Sequence, residues 1–267
     1  MSKFFPKICL SFLLVASTLA GCGDSGPKPS SKPNEQTART NFKGSKFTVI
    51  TSADNPPFES HDSANNQIKG FDIDLIHMIA KELEAEIEIK DQDFSTLIPS
   101  LDSKKADLSI AGFTPTETRK IAVDFSVTYF KGDNVLLVLE DSGIQSIEYL
   151  AEKKVGAQLG STQAEIASQI SHVVKDLQTI PYNKISEVAE EVKSGRIAAG
   201  ILEKTAAENF SHIGTHLTII PLDSRFSQPT SIAFPKGSTL KAPIDAVIQK
   251  LESDGRLEQL RKKWFGQ

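Results

Sequence analysis

Cysteine is almost absent from this chain of 267 residues, which contains only Cys9 and Cys22. Both lie near the N-terminus, so no disulfide can form within the rest of the chain. The rest must therefore be stabilised by packing, and its length is enough for one sizeable core or two modest ones.

A positive net charge and a second long apolar run are missing as well. The formal net charge is −4, which argues against nucleic acid as a partner because phosphate contacts require an excess of lysine and arginine. Beyond residue 21, no apolar run approaches the roughly 18 residues that a transmembrane helix needs.

Patterns typical of catalysis or metal binding are also lacking. The sequence contains no G-x-S-x-G elbow, no P-loop and no cysteine–histidine pairing. No two histidines have the spacing of metal ligands on one helix face, so we expect neither a metal nor a cofactor. The five histidines are His61, His77, His172, His212 and His216.

Residues 1–21 have the pattern of a signal peptide for export. Lys3 and Lys7 precede the apolar segment ICLSFLLVASTLA, which is too short for a membrane span. The segment ends in Leu-Ala-Gly-Cys, which resembles the bacterial lipobox and implies cleavage before Cys22 and lipidation of that cysteine. The alternative is ordinary secretory cleavage beside an unrelated cysteine. With lipidation, we expect an envelope protein anchored to a membrane and facing the periplasm or the cell exterior.

Residues 22–45 are predicted to form a disordered tether that follows the lipidated cysteine. The segment contains GDSGPKPSSKPNEQTARTN, which is rich in proline, serine, glycine and lysine and has almost no apolar side chains.

From Lys46 onward, short apolar strands alternate with helical patterns, as in βαβ units. After the strand DNVLLVL the alternation starts again, and the return strand TSIAFPKG precedes two helical stretches broken at Gly255. Strands are predicted at 47–52, 86–91, 106–112, 155–159 and 196–202, and helices at 70–85, 94–105, 146–154, 161–170 and 185–195.

Two α/β units in series predict an α/β fold with two lobes and a cleft between them. We expect the first lobe to comprise residues 46–131 plus 231–267, because the C-terminal segment can rejoin the first unit. The second lobe then comprises residues 132–230.

Polar and charged residues follow the predicted strands. ADNPPFES follows the first strand, FTPTETR follows the third, GSTQAE follows a strand of the second unit, and Glu203 ends another. In open α/β sheets, ligands bind beyond the carboxyl ends of the strands, so these segments predict the walls of a binding cleft.

Two of these segments fit the capping box that begins a helix: Thr114-x-x-Glu117, with Pro115 at the first helical position, and Thr162-x-x-Glu165. A helix N-terminus has unpaired backbone N–H groups and positive partial charge, and it can therefore bind a carboxylate or phosphate. The alternative is that both segments only cap their helices.

Arg119 has no acid at a spacing that would pair with it on a helix. Glu117 is two residues away and Asp124 five. A guanidinium beside a helix start is suited to bidentate binding of a carboxylate. The alternatives are a solvated arginine or a distant ion pair.

Several segments, in order along the chain, resemble bacterial extracellular solute-binding protein family 3, and within it the receptors of the arginine, lysine, histidine and glutamine type. These segments are NPPFES, NNQIKGFDIDLIHMIAKEL, FSTLIPSL, KKADLSIAGFTPTETR, VGAQLGSTQAE and GRIAAGILE. The resemblance covers residues from about 46 to 265. It implies a type II periplasmic-binding-protein-like fold, with hinge strands near Tyr129–Asp133 and Gln228–Ser231.

The same resemblance implies that the protein captures a free polar or cationic amino acid and delivers it to an ABC permease with its ATPase. It also implies a monomer. The ligand's α-carboxylate is then held by Arg119, Thr114 and the backbone around Ser161 and Thr162. Its α-ammonium is held by the carbonyl of Gly112 and by Glu203. The remaining expected ligand-binding residues are Asp54, Asn55, Phe58, Phe94, Ala111, Phe113 and Gln158.

The sequence departs from the family pattern at two positions. Many relatives have an aromatic residue where this chain has Asn55, whereas the second aromatic wall is retained as Phe94; this weakens the case for a guanidinium ligand held by cation–π contact. Glu203 stands where aspartate is commoner. Asp54 either contacts the ligand or only stabilises a turn. Gln158 either orients the ligand or only ends a strand.

Two other functions are compatible with the sequence. Some relatives resemble cyclohexadienyl dehydratases, in which an acid in the cleft is a proton donor, and Glu203 would then take that role. The third candidate is a sensor that reports its ligand to a membrane kinase without transport.

Overall fold

The structure is a computed structural model, and it describes residues 42–213 and 216–266. The predicted signal peptide, Cys22 and the predicted tether up to residue 41 lie outside the described residues.

Strands and helices alternate through the described residues. The strands are β1 (Lys46–Thr51), β2 (Asp54–Asn55), β3 (Glu59–His61), β4 (Ile68–Lys69), β5 (Glu86–Asp91), β6 (Leu108–Ser109), β7 (Val123–Phe125), β8 (Phe130–Gly132), β9 (Asn134–Leu139), β10 (Lys154–Gln158), β11 (Gln178–Tyr182), β12 (Ala199–Glu203), β13 (Leu217–Pro221), β14 (Gln228–Thr230) and β15 (Ala233–Pro235). The α-helices are α1 (Phe71–Glu82), α2 (Phe94–Asp102), α3 (Glu117–Ala122), α4 (Thr162–Ser171), α5 (Ile185–Lys193), α6 (Lys204–Ile213), α7 (Lys241–Ser253) and α8 (Arg256–Phe265).

Two five-stranded sheets organise the fold, and we call the regions around them the first and second lobe. The first sheet has the order β5-β1-β6-β15-β7, and the second has the order β11-β10-β12-β9-β13. In each sheet three neighbouring strands are parallel and the other two are antiparallel to their neighbours. Both sheets therefore direct the carboxyl ends of their parallel strands to one edge, where ligands bind in open α/β folds.

Helices cover both sheets with apolar faces. Leu75, Ile76 and Ile79, at helical spacing on α1, are buried against the first sheet as their periodicity predicts. The C-terminal helices α7 and α8 pack in the same cluster, so the chain end returns to the first lobe. The second sheet carries its own apolar clusters on its two faces.

A separate pair of antiparallel strands connects the two lobes. β8 leaves the first lobe, β14 returns to it, and they pair from Phe130 with Thr230 to Gly132 with Gln228. These strands lie where the hinges are predicted. Among the described residues, no helix is long and apolar enough to cross a membrane.

The structure corrects two details of the predicted elements. The helix predicted at 146–154 is only a short 3-10 turn, Ile147–Leu150, because Glu152 adopts a positive φ of 61° and the next strand already begins at Lys154. The end of the predicted tether, residues 42–45, belongs to the fold. Phe42 is buried there and packs edge-on against Phe47.

Candidate functional site

A cleft lies between the carboxyl edges of the two sheets and is lined by residues of both lobes. Residues after β1, β6 and β10 and at the end of β12 reach it, as the strand-end pattern predicts. Of the expected ligand-binding residues, those that line the cleft are Asp54, Asn55, Phe58, Phe94, Ala111, Gly112, Thr114, Arg119, Gln158, Ser161, Thr162 and Glu203.

Phe113 is the expected residue that does not line the cleft. Its ring is fully buried behind Arg119, with 5.3 Å between the Arg119 Cζ and the ring centroid. Phe94 lies on the same guanidinium at 5.5 Å and packs on Phe113 with the centroids 4.9 Å apart. The two rings therefore support Arg119, which makes Phe94 a neighbour of the arginine as well as a wall of the cleft.

The helix after β6 begins later than the capping-box pattern predicts. Thr116, not Thr114, caps α3, because its hydroxyl accepts from the backbone N–H of Arg119 at 3.2 Å. Pro115 consequently lies before the helix. The hydroxyl of Thr114 is thereby left for another partner, and it donates to Gln228 at 3.1 Å.

Arg119 extends across the cleft and is 9% exposed. Its Nη1 donates to the carbonyl of Thr114 and its Nη2 to the carbonyl of Gly160 in the second lobe, both at 2.9 Å. A guanidinium has five N–H donors, so three remain after these two bonds. Burial lowers the pKa of Arg119 to about 10, and the group therefore stays charged at neutral pH.

Within the described residues, no carboxylate lies within ion-pair distance of Arg119, although 22 other ion pairs occur there. A buried cation held only by carbonyl oxygens is costly unless an anion joins it. The geometry thus favours an anionic group next to the free N–H donors of this arginine.

The helix after β10 begins one residue earlier than the second capping-box pattern predicts. Ser161 is the cap of α4, since its hydroxyl accepts from the N–H of Ala164 at 3.1 Å. Thr162 is then the first helical residue, and its hydroxyl donates to Gln228 Oε1 at 2.6 Å. Gln228 therefore joins Thr114 of the first lobe to Thr162 of the second through one oxygen.

Glu203 ends β12 and uses one carboxylate oxygen to begin α6. Its Oε2 accepts from the N–H groups of Thr205 at 2.8 Å and Ala206 at 3.2 Å, and from the hydroxyl of Thr205. The other oxygen, Oε1, is buried and has no hydrogen-bond donor among the described residues. Burial raises the pKa of Glu203 to about 7, and the hydrogen bonds to Oε2 partly oppose this shift.

Gly132 of β8 lies against the same carboxylate. A Cβ atom at this position would collide with Glu203 Oε1, so any other residue would force the carboxylate to shift. The free oxygen therefore lies where the connecting strands meet the second lobe.

Asp54 and Gln158 make a contact between the lobes. Asp54 Oδ2 accepts from the N–H of Ile185 at 2.7 Å and from Gln158 Nε2 at 3.1 Å. Its other oxygen accepts from the hydroxyl of Ser52. Burial raises the pKa of Asp54 above its ordinary value, while these bonds lower it. Both residues thus serve interlobe contact, beyond the turn and strand-end roles considered for them.

Sequence reasoning did not find a buried acidic group beneath Asn55. Glu59 and Asp72 are 1% and 0% exposed, and Asn55 Nδ2 donates to Glu59 Oε1 at 3.3 Å. Asp72 Oδ2 accepts from the N–H of Gly112 at 3.0 Å and from the hydroxyl of Tyr129 at 2.9 Å. The available signal was that Glu59 and Asp72 each directly follow an apolar residue, in PFES and GFDID, but the same pattern leaves Asp74 partly exposed.

Other residues that sequence reasoning missed also line the cleft. Most come from the connecting strands and from helix starts of the second lobe, and of these only Gln163 belongs to a segment identified from the strand-end pattern. They are Ser52, Glu59, Gly132, Asn134, Gln163, Ile185, Ile201, Leu202, Gln228 and Thr230. Within the described residues, no group of three or more histidines, cysteines or acids is placed to hold a metal ion.

The combination of two lobes, strand-end residues and an interlobe cleft agrees with the family comparison. Residues 47–267 match the model of the bacterial extracellular solute-binding proteins, family 3. The chain belongs to this family. The family and the two-lobe α/β fold predicted from the sequence are thereby confirmed, and so is the prediction that the chain is a binding protein and not an enzyme.

Similar proteins are named as arginine- and glutamine-binding proteins. The chain is 37% identical to the arginine-binding extracellular protein ArtP of Bacillus subtilis (strain 168) over 267 residues, which cover 99% of this chain and 98% of ArtP. It is 32% identical to the ABC transporter glutamine-binding protein GlnH of the same organism over 277 residues, which cover 99% of this chain and 98% of GlnH.

A solved structure extends the similarity to the fold. An ancestral arginine-binding protein bound to glutamine is 38% identical, with a TM-score of 0.76, and the match covers 83% of this chain and 98% of that protein. Membership of an extracellular family agrees with the predicted export of this solute-binding protein. Its predicted lipid anchor at Cys22 lies outside the described residues and stays a prediction.

Proposed function

We propose that this solute-binding protein captures one free amino acid in the interlobe cleft and delivers it to an ABC import permease. The observation that carries the proposal is a pair of unsatisfied, opposite charges that line one cleft. Arg119 offers free N–H donors, and Glu203 offers a free oxygen. A zwitterion supplies both missing partners.

The α-carboxylate of the ligand is assigned to Arg119. The hydroxyls of Thr114 and Thr162, which both donate to Gln228, are assigned to the same end of the ligand. A guanidinium presents its donors in a planar fork that matches a carboxylate. Because Arg119 also contacts Gly160 of the second lobe, a carboxylate bound there lies where the lobes meet.

The α-ammonium is assigned to Glu203 Oε1 and to the carbonyl of Gly112. An ammonium moved from water into a buried site must be paired with an acceptor, and a carboxylate is the strongest one available. This need explains why a carboxylate oxygen is kept without a protein partner.

The names of similar proteins support an amino acid as the solute and an ABC importer as the partner. They indicate a cationic or polar side chain such as that of arginine or glutamine. We further propose that the protein is tethered to a membrane through lipidated Cys22, that it is a monomer, and that β8 and β14 are the hinge between lobes of residues 46–131 plus 231–267 and residues 132–230.

A thermal-shift screen of the twenty amino acids with ornithine and citrulline tests the proposal, because a ligand that binds the native state raises the melting temperature. Calorimetry then compares Arg119→Ala with Arg196→Ala, which removes an exposed arginine paired with Glu191. We expect Arg119→Ala to abolish binding without unfolding, and Arg196→Ala to bind normally. Undiminished affinity in Arg119→Ala would refute the carboxylate assignment.

A further inference from the structure

We propose that Asn55 is a specificity-determining residue, whose amide oxygen accepts a hydrogen bond from an N–H group on the ligand's side chain. A buried pair, Glu59 and Asp72, orients this amide. The inference rests on the proposed function, since it assigns a class of ligand side chain to the same cleft.

The buried pair cannot carry two negative charges at neutral pH. Glu59 Oε2 and Asp72 Oδ1 are both buried and lack a donor among the described residues. Burial and the neighbouring Asp72 raise the pKa of Glu59, because like charges in a buried site disfavour each other. One of the two carboxyls is therefore protonated.

The proton belongs to Glu59. Asp72 accepts from two further donors, Gly112 N–H and Tyr129 O–H, which stabilise its ionised form. Within the part of the chain that the structure describes, the carboxyl of Glu59 has only the amide of Asn55 as a donor. Burial and the adjacent Asp72 raise the pKa of Glu59, and Asp54 of β2 acts in the same direction. Tyr129 stays protonated because burial raises its pKa too.

The protonated Glu59 determines which way the Asn55 amide points. Glu59 presents Oε1 to Asn55 as an acceptor, and the Asn55 Nδ2 faces it. The opposite orientation would place two acceptor oxygens against each other. Asn55 Oδ1 therefore turns away from Glu59, and it is buried without a donor among the described residues.

Asn55 lines the cleft, and a ligand N–H that packs against it would supply the donor that the buried oxygen lacks. A buried acceptor without a donor is unfavourable, and a side-chain N–H of the ligand removes that cost. A ligand side chain that carries only acceptors or only apolar atoms leaves that cost in place. The cleft should thus select amide, guanidinium or ammonium side chains and reject glutamate and methionine.

Calorimetry with five ligands tests the inference: L-glutamine, L-arginine and L-citrulline as N–H donors, L-methionine as an apolar isostere of glutamine, and L-glutamate. We expect the wild type to bind glutamine or arginine at least about tenfold more tightly than methionine, and glutamate at least as weakly as methionine. Asn55→Leu should reduce this preference to about threefold or less. The matched control is Asn209→Leu, because Asn209 Oδ1 is also buried without a donor but Asn209 does not line the cleft.

Glu59→Gln tests the relay. Glutamine reproduces the protonated acid, since its oxygen can accept from Asn55 and its amide N–H can donate to Asp72. We expect an unchanged ligand preference. A preference that is lost or reversed in Glu59→Gln overturns the relay.

The outcomes separate this inference from the proposed function. Amino-acid binding with equal affinity for glutamine, arginine and methionine overturns the inference and leaves the proposed function standing; this comparison needs only the wild type. A preference that survives in Asn55→Leu also overturns it. Failure to bind any amino acid overturns both.

Discussion

The backbone N–H of Ile185 donates to Asp54 Oδ2 at 2.7 Å, which joins two residues 131 positions apart in the chain. Ile185 is the first residue of α5 in the second lobe, and Asp54 follows β1 in the first. A carboxylate at a helix N-terminus is stabilised by the unpaired N–H groups and the helix dipole. Asp54 therefore makes a contact that favours association of the two lobes across the cleft.

Asp54→Asn should weaken ligand binding. Loss of the charge at the helix start is expected to cost about 1–2 kcal/mol of the lobe contact, or roughly 5- to 30-fold in affinity measured by calorimetry. The control is Asp62→Asn, which removes a surface partner of Lys69 in the same lobe and should have almost no effect. Equal affinities for both variants would rule out this role of Asp54.

Ligand affinity should depend on pH through Glu203. The pKa of this carboxyl is about 7 in the cleft, and an ammonium binds its ionised form. Below about pH 7 the proton must leave before the ligand binds, so affinity should fall by up to tenfold per pH unit. Calorimetry with glutamine or arginine from pH 5.5 to 8.5 measures the slope. Glu203→Gln should bind more weakly at pH 8 and show no such slope; the same slope in this variant would assign it to another group.

Glu203→Gln should also stabilise the ligand-free protein at high pH. The pKa of Glu203 is raised from 4.5 to about 7 by folding, so its contribution to stability is fully present below pH 4.5 and is lost as pH rises through 7. At pH 8 the folded protein holds a buried, ionised carboxylate, and Glu203→Gln should increase the free energy of unfolding by about 1–3 kcal/mol. Urea unfolding at pH 8 and pH 5.5 should show a smaller difference at the lower pH. A gain independent of pH would contradict the assignment.

Gln228→Leu should impair binding more than folding. Its Oε1 accepts from Thr114 and Thr162, and the substitution leaves two hydroxyls from different lobes without their shared acceptor. We expect a loss of about 3- to 10-fold in affinity, since each neutral hydrogen bond contributes about 0.5–1.5 kcal/mol. Gln259→Leu, on the exposed face of α8, is the control. A fall in melting temperature without a fall in affinity would show that Gln228 only stabilises the fold.

Local sequence patterns predicted most of the α/β elements because each lobe repeats short apolar strands and amphipathic helices. β5 occupies its predicted residues, β1 lies one residue earlier than predicted, and Gly255 separates the last two helices as expected. Helix starts were less certain, because several residues near each start can act as the cap. Thr116 and Ser161 cap the helices for which Thr114 and Thr162 were predicted as caps. The hydroxyls of Thr114 and Thr162 donate to Gln228 instead.

Some residues of the candidate site were identified from the sequence and others were missed. Arg119, Thr114 and Glu203 were identified because they follow strands, and the carboxyl ends of parallel strands meet at one edge. Gln228, Glu59 and Asp72 were missed, since their partners are 114, 4 and 40 residues away and no spacing rule connects them.

The sequence by itself determined the family, the alternation of strands and helices, and the strand ends that carry the charged residues. These follow from local periodicity and from the order of segments. Only the tertiary structure decided which polar atoms are satisfied within the protein and which are left for a ligand. Hydrogen-bond satisfaction depends on neighbours brought together from distant segments, as when Arg119 Nη2 of the first lobe donates to the carbonyl of Gly160 in the second.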